Sequence, residues 1–221
     1  MNVLIIGATR GIGYELARQH LEAGDTVYAS ARGQNGIARL KELGVNTLVV
    51  NTADALGCSG LSWGIDGTRF DRIWHVAGIF GPRAAALDPP VQQDFDLVMH
   101  TNVLGFMRLI PQYLDALAPG GRIGVLSSKM GSMGLRNSPS GWTYRASKAA
   151  LNSVVKDASL VLGARGLVVA FHPGWVQTDM GGTGADIPVD QSVGDLRRTL
   201  DGLQPSDTGG FFNHDGQALA W

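Results

Sequence analysis

The stretch NVLIIGATRGIG, residues 2–13, decides the fold of this 221-residue chain. Its apolar run, residues 3–6, predicts a buried strand, and an amphipathic helix is predicted over residues 12–23. Between them lie glycines in the spacing G-x3-G-x-G, namely Gly7, Gly11 and Gly13. Glycine lets a backbone turn sharply and approach a phosphate, and the free N–H groups at a helix N-terminus attract an anion. We therefore interpret the stretch as a nucleotide-binding loop rather than as an ordinary strand–helix turn.

The rest of the chain alternates short apolar runs with longer amphipathic segments. Further strands are predicted at residues 26–31, 46–50, 72–76, 122–126, 167–171 and 210–212, and further helices at residues 37–43, 91–117, 143–162 and 190–203. Residues 58–68 are rich in glycine and are predicted to be irregular. This alternation predicts an α/β protein, a single-domain Rossmann fold over residues 1–221 in which helices cover both faces of a doubly wound parallel sheet. A ligand of such a fold binds at the carboxyl ends of the strands.

Composition narrows the class of protein. The formal net charge is −1 and no Lys/Arg cluster stands out, which argues against a nucleic-acid or anionic-membrane partner. No stretch approaches the ~20 apolar residues of a membrane span, and the His, Asp and Glu residues show no metal-ligand spacing. Cys58 is the only cysteine, which excludes an intrachain disulfide. Because the apolar run follows Met1 without a basic region, we expect a cytoplasmic protein. Because ligand spacing is lacking, we expect no bound metal.

Two residues with catalytic potential lie near the predicted start of the helix over residues 143–162. Tyr144 and Lys148 form the pattern Y-x3-K, and a spacing of four residues puts both side chains on one helix face. A free tyrosine has a pKa of about 10, and a close ammonium group lowers that pKa by favouring tyrosinate. A tyrosine tuned in this way suits proton transfer at neutral pH. Ser127 and Ser128 end the preceding strand, and Asn102 lies in the long helix before it.

Together these motifs resemble the short-chain dehydrogenase/reductase superfamily over nearly the whole chain. The segments SSKMGS, YRASKAALN, HPGWVQTDMGG and GGFFNHDGQALAW resemble in particular its C-factor/sniffer-like carbonyl-reductase group. The resemblance implies an oxidoreductase that transfers a hydride between a nicotinamide cofactor and a small-molecule carbonyl or secondary alcohol. That group also includes proteins tied to developmental signalling. The alternative is therefore a cofactor-binding signalling or scaffold protein with weak or vestigial catalysis.

The resemblance also implies a catalytic tetrad. In it Tyr144 transfers the proton as general acid/base, Ser128 orients the carbonyl oxygen, and Lys148 holds the nicotinamide ribose. Asn102 would hold a water that links Lys148 to solvent. Ser127 competes with Ser128 for the serine role, and we prefer Ser128 because it matches the second Ser of the family pattern S-S-x-x-G at residues 127–131.

For the cofactor, the resemblance places the Val176 backbone and the Thr178 hydroxyl on the nicotinamide carboxamide. Asn51 replaces the Asp often found near the adenine ring, whereas His75 and Val76 replace two Asn residues that usually brace the central sheet. The expected cofactor contacts are Gly7, Thr9, Arg10, Gly11, Ile12, Gly13, Arg32, Asn51, Ala77, Gly78, Tyr144, Lys148, Pro173, Gly174, Val176 and Thr178.

The choice between NADH and NADPH depends on the end of the second strand. In NAD-selective dinucleotide folds, an acidic residue about 20 residues beyond the glycines binds the ribose 2′-hydroxyl. Ala31 occupies that position here, Arg32 follows it, and Arg10 lies within the glycine-rich loop. Because no carboxylate repels a 2′-phosphate and two guanidinium groups can bind it, we predict NADP(H) as the cofactor.

Two further expectations concern surfaces. Residues 181–203 are expected to form a lid over the substrate. The chain is expected to form a homodimer, or a tetramer, through the helices at residues 91–117 and 143–162. The reason is that these helices carry more apolar residues than one buried face requires, among them Leu109, Tyr113, Leu151, Val155 and Leu160.

Overall fold

The computed structural model describes residues 1–83, 85 and 88–221, and in this part of the chain seven strands form one sheet. Their order is β3-β2-β1-β4-β5-β6-β7, and every neighbouring pair is parallel. The strands are β1 (Asn2–Ile6), β2 (Thr26–Ala31), β3 (Asn46–Val49), β4 (Phe70–His75), β5 (Leu117–Leu126), β6 (Gly166–His172) and β7 (Phe211–Asn213). The helices are α1 (Gly11–Glu22), α2 (Gln34–Leu43), α3 (Ala55–Ser59), α4 (Leu61–Gly64), α5 (Gln92–Met99), α6 (Gly105–Ala116), α7 (Trp142–Leu162) and α8 (Val189–Gly202). The predicted doubly wound α/β fold is confirmed.

Both faces of the sheet are buried, as the continuous apolar strands predict. Along β1, Leu4 and Ile6 belong to a core shared with α6 and α7, whereas Val3 and Ile5 belong to a second core shared with α1 and α8. Strand order reverses between β1 and β4. The crevice at this switch point is where a fold of this kind binds its ligand.

Three elements differ from the sequence prediction. The helix predicted over residues 91–117 is divided into α5 and α6 by a π-helical turn, His100–Leu104. The segment predicted to be irregular includes α4 and part of α3, two helices too short to show an apolar period. Strand β5 begins at Leu117, five residues before its predicted start at Arg122, because Leu117 pairs with Phe70 of β4.

Most of the apolar residues expected at a dimer interface lie in the core of the chain itself. Leu109, Tyr113, Leu151 and Val155 are fully buried against the sheet, whereas Leu160 is 73% exposed. The prediction that these residues form a surplus apolar surface was therefore wrong for all but Leu160. It failed because periodicity alone does not say how wide a stripe the sheet covers.

The lid expected over residues 181–203 stays a prediction. Most of that range is α8, whose Val193, Leu196 and Leu200 are fully buried in the second core. Only residues 181–188 precede the helix and lie in the connection from β6. Among the described helices, none is long and apolar enough to cross a membrane. The described residues include no group of His, Cys, Asp and Glu side chains that can hold a metal ion.

Candidate active site

A cleft of about 570 Å³ opens at the carboxyl ends of the central strands. The first turn of α1 borders it, and the N-terminal N–H groups of that helix receive no side-chain cap. Of the predicted contact residues, those that line the cleft are Gly7, Thr9, Arg10, Gly11, Ile12, Arg32, Ala77, Gly78, Tyr144, Lys148, Pro173 and Thr178.

Two glycines make this cleft possible. Gly7 has φ +91°, and a Cβ there would lie 2.8 Å from the Ala77 backbone, so a side chain would push the loop away from β4. A Cβ on Gly78 would lie 3.3 Å from Asn102 Oδ1 and from Lys148 Nζ, at the bottom of the cleft. The backbone is thus kept bare where a dinucleotide would approach it, and the uncapped helix N-terminus suits its pyrophosphate.

Four of the predicted contact residues do not line the cleft. Gly13 lies beneath the loop, where a Cβ would be 2.2 Å from the Gly7 carbonyl oxygen. Asn51 is turned back into its own loop, because its Oδ1 accepts a hydrogen bond from Ala53 N at 3.3 Å. Gly174 faces Ile187 and His214, and Val176 is buried with its backbone bridged to Ile187.

Sequence reasoning missed other lining residues at the ends of β2 and β3, at the start of α2 and in the π-helical turn, including Ser30, Gln34, Asn35, Val50, Thr52 and Thr101. Ser30, Val50 and Thr52 lie at or just beyond strand ends, and that position was the available signal. Thr101 lies within the helical segment, and its sequence gives no comparable signal.

Helix α7 presents Tyr144 and Lys148 to the cleft, as their spacing predicts. The helix begins after Gly141, whose left-handed φ of +70° lets the chain turn into it. Both side chains are almost wholly buried, and Lys148 Nζ donates to the Leu126 carbonyl oxygen at 2.8 Å. Lys148 Nζ lies 5.7 Å from the centre of the Tyr144 ring.

Burial controls the protonation of this pair. It raises the pKa of Tyr144 to about 12, and the interaction with the Ser128 hydroxyl acts against that rise. Burial also lowers the pKa of Lys148 to about 8. The expectation that the Lys148 ammonium lowers the Tyr144 pKa was wrong: desolvation sets the direction of the shift, the Ser128 hydroxyl supplies the opposing effect, and the phenol holds its proton at neutral pH.

The two serines at the end of β5 take different partners. Ser128 faces the Tyr144 phenol and also accepts a hydrogen bond from Met130 N at 3.1 Å. The Ser127 hydroxyl instead donates to Asn152 Oδ1. Of the two, the structure brings Ser128 next to the tyrosine.

Asn102 lies in the π-helical turn, an irregularity often found at functional sites. Its Oδ1 accepts from Ile79 N at 2.8 Å, and its Nδ2 donates to Ile79 O and to Ser147 Oγ, each at 2.9 Å. Asn102 therefore fixes the backbone just after Gly78 and joins it to α7.

His75, which replaces a bracing Asn of the family pattern, finds a partner of its own. Its Nδ1 lies 2.9 Å from the Tyr113 hydroxyl in the core. Burial, with a smaller effect of the Lys148 charge, lowers the pKa of His75 to about 3, so the ring is neutral. The sheet thus keeps a side-chain hydrogen bond at this position. His172 is also mostly buried, and burial lowers its pKa to about 4.

An aromatic ring covers one face of the Tyr144 ring. The Phe80 ring stacks on the Tyr144 ring with centres 4.6 Å apart and planes at 26°. Arg83 lies over the Phe80 ring at 5.5 Å. The methyl group of Met130 and the Phe80 ring both contact the position of Gly141. The Tyr144 ring is therefore flanked by an aromatic side chain.

The fold and this cleft define an oxidoreductase of the short-chain dehydrogenase type. A model of the short chain dehydrogenase family matches residues 1–186, so the chain belongs to that family. The chain is 42% identical over 154 residues to the C-signal protein of Myxococcus xanthus, covering 68% of this chain and 92% of that one. It is 30% identical over 230 residues to 1-hydroxy-2-glutathionyl-2-methyl-3-butene dehydrogenase of Rhodococcus sp. (strain AD45), covering 99% of each chain.

Solved structures of carbonyl reductases also superpose on this chain. The carbonyl reductase Sniffer of D. melanogaster superposes with a TM-score of 0.91 at 28% identity, covering 100% of this chain and 99% of that one. The NADPH-bound carbonyl reductase from chicken fatty liver superposes with a TM-score of 0.86 at 28% identity, covering 100% and 98%. The predicted resemblance to the C-factor/sniffer-like group is confirmed.

Proposed function

We propose that this chain is an NADPH-dependent carbonyl reductase or alcohol dehydrogenase in which Tyr144 is the general acid/base. The observation that carries the proposal is the arrangement at the cleft: Tyr144 lines it, Ser128 faces the phenol, and Lys148 follows one helical turn later. This arrangement joins a proton donor to a groove whose bare glycine backbone fits a dinucleotide.

The bound cofactor supplies or accepts the hydride. In carbonyl reduction, the protonated Tyr144 phenol donates its proton to the carbonyl oxygen as charge develops there. The Ser128 hydroxyl orients that oxygen, and Lys148 holds the nicotinamide ribose. Asn102 holds the Ile79 backbone through two hydrogen bonds. It thereby also fixes the neighbouring Gly78, which lies next to Lys148 in the cleft. In alcohol oxidation the same tyrosine takes the proton back.

NADPH is preferred on the grounds of charge. Ala31 and Arg32 both line the cleft at the end of β2, and Arg32 is exposed there. A guanidinium group without a carboxylate beside it favours a 2′-phosphate over a 2′-hydroxyl. Two solved relatives, the chicken enzyme and a carbonyl reductase from Pseudomonas aeruginosa PAO1, hold NADPH and NADP respectively.

A panel of aldehydes and ketones, followed by loss of NADPH absorbance, tests the proposal. We expect reduction of some members of the panel by the wild-type chain and strongly slowed reduction by Tyr144→Phe. Failure of every carbonyl and alcohol, with NADPH still bound, would overturn the proposal.

The similarity to C-signal favours a second candidate, a cofactor-binding signalling or scaffold protein. The scaffold differs from the enzyme in that it binds NADPH but turns over no substrate. Tyr144→Phe therefore leaves the signalling of a scaffold intact. The buried, mutually placed Tyr144, Ser128 and Lys148 favour the enzyme, because a scaffold has no chemical need for them.

We also propose a homodimer, or a tetramer, in the cytoplasm. Support for self-association comes from exposed apolar side chains on α5, α6 and α7, namely Leu97, Met107, Leu160 and Val161. Light scattering at micromolar concentration distinguishes a dimer from a monomer.

A further inference from the structure

A buried hydrogen bond joins the end of β5 to α7 beside the cleft, which Ser127 helps to line. The Ser127 hydroxyl donates to Asn152 Oδ1 at 2.5 Å, and both residues are 4% exposed. Neither side chain has a part in the chemistry proposed above. Their positions nevertheless connect them to it, since Ser127 is followed directly by Ser128, and Asn152 lies one turn beyond Lys148 on the face of α7 that carries Tyr144.

A second hydrogen bond also ties the strand end to the helix. Lys148 Nζ donates to the Leu126 carbonyl oxygen at 2.8 Å, so residues 126 and 127 are each bonded to α7, at positions one turn apart. On the other side, Ser127 N donates to the Phe171 carbonyl oxygen of β6 at 2.8 Å. The Lys148 tie uses the residue proposed to hold the ribose, whereas the Asn152 tie uses no residue proposed to contact the cofactor.

The close packing just after Ser128 shows how little room this region has. A Cβ on Gly131 would lie 2.8 Å from the Lys148 carbonyl carbon and 2.9 Å from the Lys148 Cβ. The short 3₁₀ turn Lys129–Gly131 therefore rests directly on α7. A small shift of the strand end relative to the helix changes the distance between the Ser128 hydroxyl and the Tyr144 phenol.

We propose that Asn152 is a positioning residue: through its hydrogen bond to Ser127 it fixes where the Ser128 hydroxyl stands relative to the Tyr144 phenol. This inference rests on the proposed function, because it assigns Asn152 to the geometry of that same site. Asn152 acts through Ser127 and does not touch the reacting atoms.

The polar pair is poorly suited to stability alone. Asn152 Nδ2 is buried and has no hydrogen-bond partner among the described residues. A buried donor without a partner destabilises a fold, whereas replacing both members of a bonded pair by apolar groups can be neutral or stabilising. A purely structural role therefore predicts that an apolar pair is tolerated without loss of activity, whereas a positioning role predicts a stable but slower enzyme.

The experiment compares Asn152→Leu, Ser127→Ala and the double variant with wild type, using NADPH and a carbonyl compound reduced by the wild-type chain. We expect kcat to fall by roughly 10- to 100-fold, the effect of a small misplacement of reacting groups, with KM for NADPH unchanged. The double variant should be no slower than either single variant, because the two residues act as one unit. Ser127→Ala tests the same bond if Asn152→Leu does not fold.

The pH profile supplies a readout that a structural role does not move. Alcohol oxidation needs tyrosinate, so its kcat rises through the apparent pKa of Tyr144. Because the Ser128 hydroxyl lowers that pKa, its displacement should move the rising limb to higher pH in the variants. Ser159→Ala is the matched control: Ser159 is equally buried on α7, but its hydroxyl donates to Lys156 O within the helix. We expect this control to change stability and leave the pH profile in place.

The possible results separate the two proposals. An active wild type with unchanged kcat and pH profile in Asn152→Leu and Ser127→Ala overturns the positioning role alone, as do losses that add in the double variant. A wild-type chain that turns over no carbonyl compound or alcohol overturns the proposed function and this inference with it.

Discussion

Arg10 Nη1 lies 3.2 Å from Asp179 Oδ2, so an ion pair connects the glycine-rich loop to the loop that follows β6. Both side chains line the cleft, and both are largely exposed, at 62% and 74%. The guanidinium group expected to bind the cofactor 2′-phosphate is thus held by a carboxylate on the opposite side of the cleft. Such exposed pairs contribute about 0–1 kcal/mol, so the contact is easily exchanged for another.

We predict that Asp179→Asn tightens NADPH binding. The substitution frees Arg10 and removes a negative charge from the cleft, and an exposed pair of this strength corresponds to a change of up to about fivefold in Kd. Fluorescence titration with NADPH at low salt measures the effect, which added salt should weaken. Asp186→Asn, an exposed acidic residue of the same connection, is the control. Weaker NADPH binding by Asp179→Asn would show that the ion pair itself supports the site.

Cofactor selectivity should depend on the end of β2. Each hydrogen bond to a charged group is worth roughly 1.5–3 kcal/mol, so one contact from Arg32 predicts a preference for NADPH on the order of ten- to a hundredfold. Ala31→Asp combined with Arg32→Ala should erode or reverse that preference. The measurement is kcat/KM with each cofactor, and equal values for NADH and NADPH in the wild type would contradict the assignment of Arg32.

Loss of the Tyr144 hydroxyl should slow chemistry and spare cofactor binding. Tyr144→Phe removes one hydroxyl and little volume, and a placed acid–base group is worth roughly 10²–10⁴ in turnover. We expect a fall in kcat of that order with the Kd for NADPH near its wild-type value. Lys148→Ala should lower kcat and weaken NADPH binding as well. Full turnover by Tyr144→Phe on an accepted substrate is incompatible with the proposed tetrad.

Stability should fall on acidification because of buried neutral histidines. The folded-state pKa of His75 is about 3, below the value of about 6.5 for an unfolded histidine. Above pH 6.5 neither state binds the proton, whereas between pH 3 and pH 6.5 only the unfolded chain does. The contribution of neutral His75 to the free energy of unfolding is therefore complete above pH 6.5 and declines below it. At pH 5 the loss is about 2 kcal/mol for such a histidine.

Urea unfolding of wild type and His75→Asn at pH 7 and pH 5 measures this effect. His75→Asn cannot titrate, so its stability should drop less between the two pH values, whatever its stability at pH 7. His172, whose pKa of about 4 is also lowered by burial, contributes to the remaining slope in both proteins. Equal slopes would mean that His75 is not desolvated as the structure indicates.

The sequence by itself determined the class of fold, the glycine-rich loop and the pairing of Tyr144 with Lys148. Each of these depends on local spacing: apolar runs of strand length, glycines between a strand and a helix, and two residues four apart on one helix. Such patterns fix backbone conformation and helix face before any tertiary contact forms. They therefore carried over to the structure unchanged.

Tertiary structure decided which way individual side chains point. Arg10 meets Asp179 from far along the chain, Ser127 turns to Asn152 and leaves Ser128 to face Tyr144, and Asn51 folds back onto its own loop. It also decided which apolar residues the sheet covers, so that Leu109 and Val155 are buried in the core. These outcomes depend on long-range partners and on the width of the covered surface. Spacing along one chain fixes neither, because a side chain's orientation is set by whichever groups the fold brings beside it.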